Sequence, residues 1–494
     1  MKKEYCSSPR LLMTAALMTT GAISPAAAQT QHSAGTEKPN VLFLFVDDMT
    51  FDGVAELGNA ELKTPNLDRF VAGGTAFVNT YNMGGWHGAV SVASRSMLMT
   101  GCYLWKARDC EREKYLPSIE NREMWVQVMK DAGYETYMTG KWHIKDTTPE
   151  QFFDETEDVR PGGCPGLAEV EYDRPKSPED NAWIPWDKKW GGYWEGGRHW
   201  TEVQADDAVR YLDRHGKSDK PFFMYVAFNA PHDPRQAPKE FYDMYPVDEV
   251  SVPENFQPEH PLKELMGCPE TMRDERLAPF PRTEYAVRKH RQEYYAIITH
   301  LDREIGRILD QLKKSGLEEK TLVIFAADNG LSCGHHGLMG KQNVYEHSMR
   351  VPLVFSGYGI PKNEKRDCLN YMQDLVPTVY DIAGIKIPEH VDFRSLVPAL
   401  EDAHAVHYPA VYGAYRNHQR MVRNDRYKLV FIPEARTAYL FDLIDDPQEM
   451  RNLYGDPAFD EVVAGLVEVY KKLAAEAGDT QLKRMAEFYP ELFS

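Results

Sequence analysis

The 494-residue chain has no excess of basic residues: Lys and Arg total 57 against 75 Asp and Glu, a formal net charge of −18. Binding along a phosphate backbone needs a basic face, so nucleic acid is excluded as the main partner, and so is a long polyanion gripped along its length. A local basic pocket for one anionic group stays compatible with that balance. The seven cysteines are scattered and none stands in a CxxC spacing. That excludes a thiol-redox motif, a zinc ribbon and a small disulfide scaffold. Cys102 and Cys110 are the nearest pair, open either to one bridge or to remaining as buried thiols. Internal repeats and low-complexity tracts are lacking. Beyond the N-terminal segment no apolar run is long enough to span a bilayer.

That N-terminal segment reads as an export signal. Lys2, Lys3 and Arg10 form a basic start, Leu11 to Ile23 is mostly apolar, and Ala26-Ala27-Ala28 offers small residues for cleavage before Gln29. The expectation is a periplasmic or secreted protein whose mature chain has no membrane span.

Val41 to Val46 is a continuous apolar run that stops at Asp47-Asp48. Such runs are typical of strands buried on both faces in a parallel sheet. Three segments repeat the form. Thr136 to Thr139 runs into Gly-Lys-Trp-His, Phe222 to Phe228 into Asn-Ala-Pro-His, and Thr321 to Ala326 into the segment holding Asp328-Asn329-Gly330. Between them lie helical patterns, the clearest from Tyr294 to Leu312 with apolar residues three or four apart. Strands alternating with helices predict an α/β fold, a large mixed and mainly parallel sheet flanked by helices. After about residue 385 short strand-like runs (Val411 to Tyr415, Gln419 to Arg423, Arg426 to Ile432, Ala438 to Leu443) precede a helix near Asp460 to Ala477. They predict a smaller α+β unit with an antiparallel sheet. The expected division is 1–28 signal, 29–385 catalytic unit and 386–494 C-terminal subdomain. The Pro- and charge-rich stretch 239–285 reads as a surface excursion.

Ligands of open α/β sheets bind beyond the carboxyl ends of the strands, and here four strands deliver polar residues to that end. Asp47, Asp48, Asp328 and Asn329 form an all-oxygen donor set suited to a hard divalent cation, Ca²⁺ or Mg²⁺. Adjacent carboxylates repel unless a cation holds them. An isolated Asp-Asp pair is more often a helix or turn cap; the second acidic strand end argues otherwise. Ser91 and Arg95, four apart after Gly84-Gly85, suit a ligand near a helix N-terminus, although alone they describe an ordinary helix start. Lys141 and His143 point the same way if extended. With His232 and Lys341 they could bind a tetrahedral anion and move protons.

In chain order, the segments PNVLFLFVDD, TPNLDRF, SVASRSMLMTG, GYETYMTGKWH, NAPHDP, ADNG and GKQNVYEHSMRVP resemble the formylglycine-dependent sulfatases of the alkaline phosphatase superfamily. The likeness extends to the C-terminal RYKLV and LFDLIDDPQEMRNLY. It implies an alkaline phosphatase-like fold and a sulfuric ester hydrolase. Ser91 would be oxidised to formylglycine, whose hydrated aldehyde attacks sulfur in line and expels the alcohol. Collapse of the second hydroxyl then releases sulfate. Asp47, Asp48, Ser91, Asp328 and Asn329 would bind Ca²⁺. Arg95 would hold the formylglycine hydroxyl and the metal ligands, while Lys141 and Lys341 would neutralise sulfate oxygens. His143 would take the diol proton, and His232 would protonate the leaving alcohol or help bind sulfate. Many members carry Cys where Ser91 stands, and Pro where Ala93 stands. Serine-type members are matured by a radical iron–sulfur enzyme, which would be the partner here.

Two other readings stand beside this one. A phosphodiesterase or phosphonate monoester hydrolase shares the fold and metal dependence, and His335 and His336 lie near enough to Asp328 to keep a second metal open. A non-catalytic glycan-binding relative would follow if Ser91 were never oxidised. The substrate expected is a sulfated sugar or oligosaccharide. The motives are the export signal, five of the nine tryptophans within residues 181–200, and the acidic body. Trp86, His87, Trp194, Arg198, His199 and His336 are the candidate specificity residues. Against this, tryptophan clusters as often pack a core.

Overall fold

The computed structural model describes residues 37–164, 169–216 and 218–493. The expected export signal lies outside the described residues. Among them, sixteen strands form three sheets: β1 (Asn40–Asp47), β2 (Gly74–Tyr81), β3 (Gly84–Gly85), β4 (Glu135–Lys141), β5 (Glu155–Arg160), β6 (Trp194–Glu195), β7 (Arg198–His199), β8 (Phe222–Pro231), β9 (Thr321–Ala327), β10 (Arg350–Gly357), β11 (Glu364–Arg366), β12 (Asn370–Tyr371), β13 (Val411–Tyr415), β14 (Gln419–Arg423), β15 (Tyr427–Ile432) and β16 (Thr437–Asp442). The large sheet has the order β11-β2-β10-β9-β1-β8-β4-β5, with β12 beside β2. The run β9-β1-β8-β4-β5 is parallel throughout, and β10 is antiparallel to both neighbours. This is the mixed, mainly parallel α/β sheet expected from the sequence.

β1 is central because its side chains suit no other place. Val41 through Val46 have no exposed surface, and β8 and β9 hydrogen-bond on either side. Each of these side chains contributes about 2 kcal/mol by burial. The helix Glu284–Lys314 starts where the Thr283 side chain accepts from the Ala286 N–H, and its stripe from Tyr294 to Leu312 packs onto β8 and the helix Trp200–His215. The carboxyl ends of β1, β4, β8 and β9 therefore open on one edge of the sheet.

The second sheet has the order β16-β15-β14-β13-β3. Four strands come from the C-terminal region, matching the predicted short runs within a residue or two. The fifth, β3, lies just before Ser91 in the chain and pairs in parallel with β13, Ala414 opposite Gly84 and Tyr415 opposite Gly85. Only glycine fits at position 84: its φ is +87°, and a Cβ there would lie 2.0 Å from the Ala414 carbonyl oxygen. The small sheet thus grips the chain immediately upstream of the helix Val90–Thr100. The predicted terminal helix runs Asp460–Glu476, with Gly478 after it at φ +79°.

Two expectations need correction. The stretch 239–285 is not a surface excursion throughout. Met266, Cys268, Asp274, Glu275 and Leu277 are buried, because the segment folds back across the carboxyl edge of the large sheet. The Trp-rich segment is largely packing: Trp183, Trp194 and Trp200 are buried, and Arg160 lies 3.7 Å over the Trp200 ring. Cys102, Cys110 and the other four described cysteines are free thiols.

Candidate active site

The site begins where the apolar run of β1 ends. Asp47 closes the strand, and Asp48 turns away with φ +65°, a left-handed conformation that costs an aspartate about 1 kcal/mol. The Asp48 N–H donates to Asp328 Oδ1 at 3.1 Å, tying the end of β1 to the end of β9. Asn329 Nδ2 donates to Asp48 Oδ1 at 2.7 Å. Carboxylate oxygens of Asp47, Asp48 and Asp328 all lie within 4.8 Å of one another, fully buried.

The helix Val90–Thr100 is buried at every position and brings Ser91 to this cluster from its first turn. Ser91 Oγ donates to Asp47 Oδ1 at 3.0 Å and stands 3.4 Å from Asn329 Oδ1. One turn on, Arg95 NH1 donates to the Lys141 carbonyl (3.0 Å) and reaches Tyr225 Oη at 3.1 Å, while its NH2 lies 3.3 Å from Asp328 Oδ2.

β4 delivers the first lysine just past Gly140, whose φ is +99° and whose Cβ would collide with the Ala227 carbonyl; opposite that step β5 carries one extra residue, Asp158. Lys141 Nζ then meets Asp47 Oδ2. Lys341 Nζ meets Asp48 Oδ1 and Oδ2 at 2.7 and 2.6 Å. His143, at φ +58°, turns its ring toward Gly162 with Nδ1 buried and unpartnered. His232, just past β8, has Nδ1 2.6 Å from the Asp233 carbonyl and Nε2 3.6 Å from Asp48 Oδ2. Ser91, Lys141, His143, His232 and Lys341 share one cavity of about 350 Å³.

The electrostatics are those of an overcrowded carboxylate set. Burial, reinforced by the negative Asp47, pushes the Asp328 carboxyl up to about 7. Burial also opposes the charge on Asp47, yet Lys141, His232, Arg95 and Lys341 together hold its carboxyl well below the usual range. Burial opposes the Lys341 cation, but Asp48, Asp274 and Asp47 raise it. Burial and then Lys141 push the His143 imidazole down to about 2, so it is neutral. Asp328 Oδ2 and Arg95 NH2 are both buried and, despite their proximity, neither has an aligned hydrogen-bond partner. An orphaned carboxylate oxygen beside two further carboxylates and an amide oxygen fits a hard divalent cation. Such a cluster around an anion-sized cavity can bind a tetrahedral oxyanion, polarise it and transfer protons.

The ten residues predicted for metal binding and catalysis are thus brought together. Of the six candidates for specificity, Trp86 and His87 line a neighbouring cleft, not the cavity. Trp194 donates to the Pro185 carbonyl, and His199 caps the helix Trp200–His215 while its Nε2 meets the Gln236 carbonyl. Arg198 pairs with Asp206. His336 stacks on Tyr345 at 4.1 Å and accepts from Asn255 Nδ2. These four do not line the cavity: packing and capping consume the atoms that the sequence left free. His335 bonds to Asn255 as well, so neither histidine turns toward Asp328. The sequence reading missed Arg273, Asp274 and Gln342, which line the cavity. Arg273 spans Asp233 (2.9 Å) and Asp274 (2.6 Å) and reaches His232 Nε2 at 3.4 Å; Gln342 Nε2 donates to Asp274 Oδ2 at 2.6 Å. The nearest signal was the charged Arg-Asp-Glu-Arg run inside the Pro-rich stretch.

Known proteins resemble this chain in sequence and in fold. The family described as Sulfatase matches residues 39–385, and N-sulphoglucosamine sulphohydrolase, C-terminal, matches residues 334–476. An arylsulfatase of Clostridium perfringens is 27% identical, over 92% of this chain and 98% of its own length. An enzyme solved in complex with its substrate D-glucosamine-2-N,6-O-disulfate superposes with a TM-score of 0.69 at 21% identity, over 90% of this chain and 99% of that one. A phosphonate monoester hydrolase from Silicibacter pomeroyi gives 0.71 at 21%, over 90% and 97%. At these identities the structural likenesses concern the fold.

Proposed function

The chain belongs to the sulfatase family, enzymes that hydrolyse sulfate esters, and on that premise we propose that it removes sulfate from a sulfated sugar or oligosaccharide after export to the periplasm or beyond. The observation that carries the reading is the meeting of Ser91, three strand-end carboxylates and two buried lysines at one cavity. The sugar is supported by the N-sulphoglucosamine sulphohydrolase match and by the substrate of the superposed enzyme. Residues 29–385 would form the catalytic unit and 386–494 its C-terminal subdomain.

Asp47, Asp48, Asp328 and Asn329, together with residue 91, would hold Ca²⁺, or Mg²⁺ as the alternative hard cation; once bound it supplies Lewis-acid polarisation of the ester. Residue 91, oxidised to formylglycine by a radical iron–sulfur maturase, supplies the hydrated-aldehyde nucleophile. The remaining work falls to the chain's own side chains. Arg95 fixes the ends of β4 and β9 relative to Ser91 through the Lys141 carbonyl and Asp328. Lys141 and Lys341 stand on the cavity wall and neutralise charge growing on sulfate oxygens. His143, on the cavity wall with a buried and unpartnered Nδ1, would accept the proton released at residue 91. His232 is held by the Asp233 carbonyl at Nδ1, so Nε2 is the atom that meets the leaving oxygen or the sulfate.

A substrate panel tests this reading: sulfated mono- and oligosaccharides, an aryl sulfate, choline sulfate, and phosphate and phosphonate esters. Turnover of a sulfated sugar is the expected result. Turnover of aryl or choline sulfate alone would overturn the sugar. Preference for a phosphodiester or phosphonate monoester would favour the phosphohydrolase reading. Unmodified Ser91 in protein from its native source, without turnover, would favour a glycan-binding relative.

A further inference from the structure

We propose that the cleft beside the catalytic cavity is a second sugar subsite, in which Arg416 binds a carboxylate or sulfate on the sugar adjoining the one that loses its sulfate. This rests on the sulfated-sugar reading above.

The two spaces share a wall. Gly88 and Ala89 line the cavity, while Trp86 and His87, their neighbours in the chain, line the cleft. The cleft measures about 820 Å³, more than twice the cavity. A saccharide with its sulfated ring against Ser91 can extend along this wall into the cleft. Trp86 is half-buried beside it, which leaves an aromatic surface for a sugar ring.

The cleft carries a cation with no carboxylate of its own. Arg108 and Arg112 both pair with Asp109, at 3.0 and 3.2 Å, and Arg484 pairs with Glu434. Arg416 is exposed and forms no ion pair among the described residues. On a chain of net charge −18, a guanidinium without an ion pair in the cleft beside the catalytic cavity stands out. Its planar fork matches a carboxylate or sulfate with two hydrogen bonds.

The residue is also held firmly. Arg416 sits at the tip of the β13–β14 hairpin with φ +46°, a conformation a bulky side chain rarely adopts. Its N–H donates to the Gly85 carbonyl at 2.7 Å, and its carbonyl accepts from Arg420 NH1 at 2.7 Å. The pairing of β13 with β3 thus sets the hairpin tip at a fixed place relative to Ser91. The small sheet thereby contributes a residue to substrate recognition without touching the reacting atoms.

Two variants test the proposal. Arg416→Gly suits the left-handed turn, and Arg416→Lys keeps the charge. The matured enzyme and both variants would be assayed on sulfated monosaccharides and on uronate-containing sulfated disaccharides. Arg416→Gly should lower kcat/KM on the disaccharides about tenfold or more, mainly through KM, and leave the monosaccharides unchanged. Arg416→Lys should recover part of the loss. An equal loss on both substrates, no loss on the disaccharides, or a parent enzyme that rejects every anionic disaccharide would overturn the proposal. A parent enzyme that turns over no sulfate ester counts against the sulfatase reading instead. Calorimetric titration of the same disaccharides then reads the cleft directly, and equal binding by parent and Arg416→Gly, or none by either, overturns the subsite.

Discussion

Two buried clusters of charge in this molecule are built on opposite principles. Beneath the small sheet, Arg420 and Asp479 are 1% and 5% exposed and close on each other. Arg420 Nε and NH2 donate to the two Asp479 oxygens at 2.6 and 3.2 Å, and NH1 donates to the Arg416 and Gln419 carbonyls. Tyr412 Oη and the Gln481 N–H fill the carboxylate's remaining positions. At the carboxyl edge of the large sheet, three carboxylates crowd together, and Asp328 Oδ2 and Arg95 NH2 stay without aligned partners. A cluster that satisfies itself holds the chain together. One that leaves buried polar atoms unsatisfied next to a cavity is arranged for something that comes from outside.

Mutation should separate the two. Ser91→Ala should reduce sulfate-ester turnover about 10³-fold or more while moving the unfolding midpoint by less than about 2 °C. Arg420→Ala should do the reverse. It leaves Asp479 buried without its cation, which costs about 3–5 kcal/mol of stability by denaturant titration, with turnover of a sulfated monosaccharide per folded molecule retained. Loss of turnover with full stability in Arg420→Ala would erase the distinction.

Metal addition sharpens it further. At a calcium concentration one hundred times its Kd, the parent should gain about 2.7 kcal/mol over chelator-treated protein. Asp328→Asn should shrink that gain, and Arg420→Ala should leave it intact. A calcium shift that Asp328→Asn does not change would mean the ion binds elsewhere.

The last effect, which builds gradually with pH, concerns two histidines buried away from the cavity. Burial pushes the His260 imidazole down to about 4; burial, with His260 next, pushes His336 down to about 3. Both are favoured neutral in the folded chain, whereas in the unfolded chain they take protons near 6.5. Their contribution is therefore complete above pH 6.5 and is lost as pH falls toward 4, each by about 1.4 kcal/mol per pH unit. Unfolding free energy measured across that window checks the slope, and a flat profile would contradict it.

What the sequence made legible follows the same divide. Continuous apolar runs ending in polar residues are a local signal, so β1, β4, β8 and β9 and the residues at their ends could be read directly. Ser91 and Arg95 are four apart on one helix, which places both on one face without tertiary knowledge. The rest depends on long-range closure. Arg273 and Asp274 reach the cavity only because an irregular, Pro-rich segment folds back over the sheet edge. Trp194, His199 and His336 looked available because their partners, Pro185, Gln236 and Asn255, are fixed by folding rather than by spacing. The pairing of β3 with β13, between strands more than three hundred residues apart, leaves no pattern beyond two glycines.

The central claim is that Ser91 is the reacting residue of a sulfate-ester hydrolase. The most direct test is mass spectrometry of the peptide containing residue 91, from active protein made with its own maturation system. Loss of two hydrogens at Ser91, in a fraction that tracks specific activity, is the predicted result. Full sulfate-ester turnover by protein whose Ser91 is entirely unmodified would contradict the account.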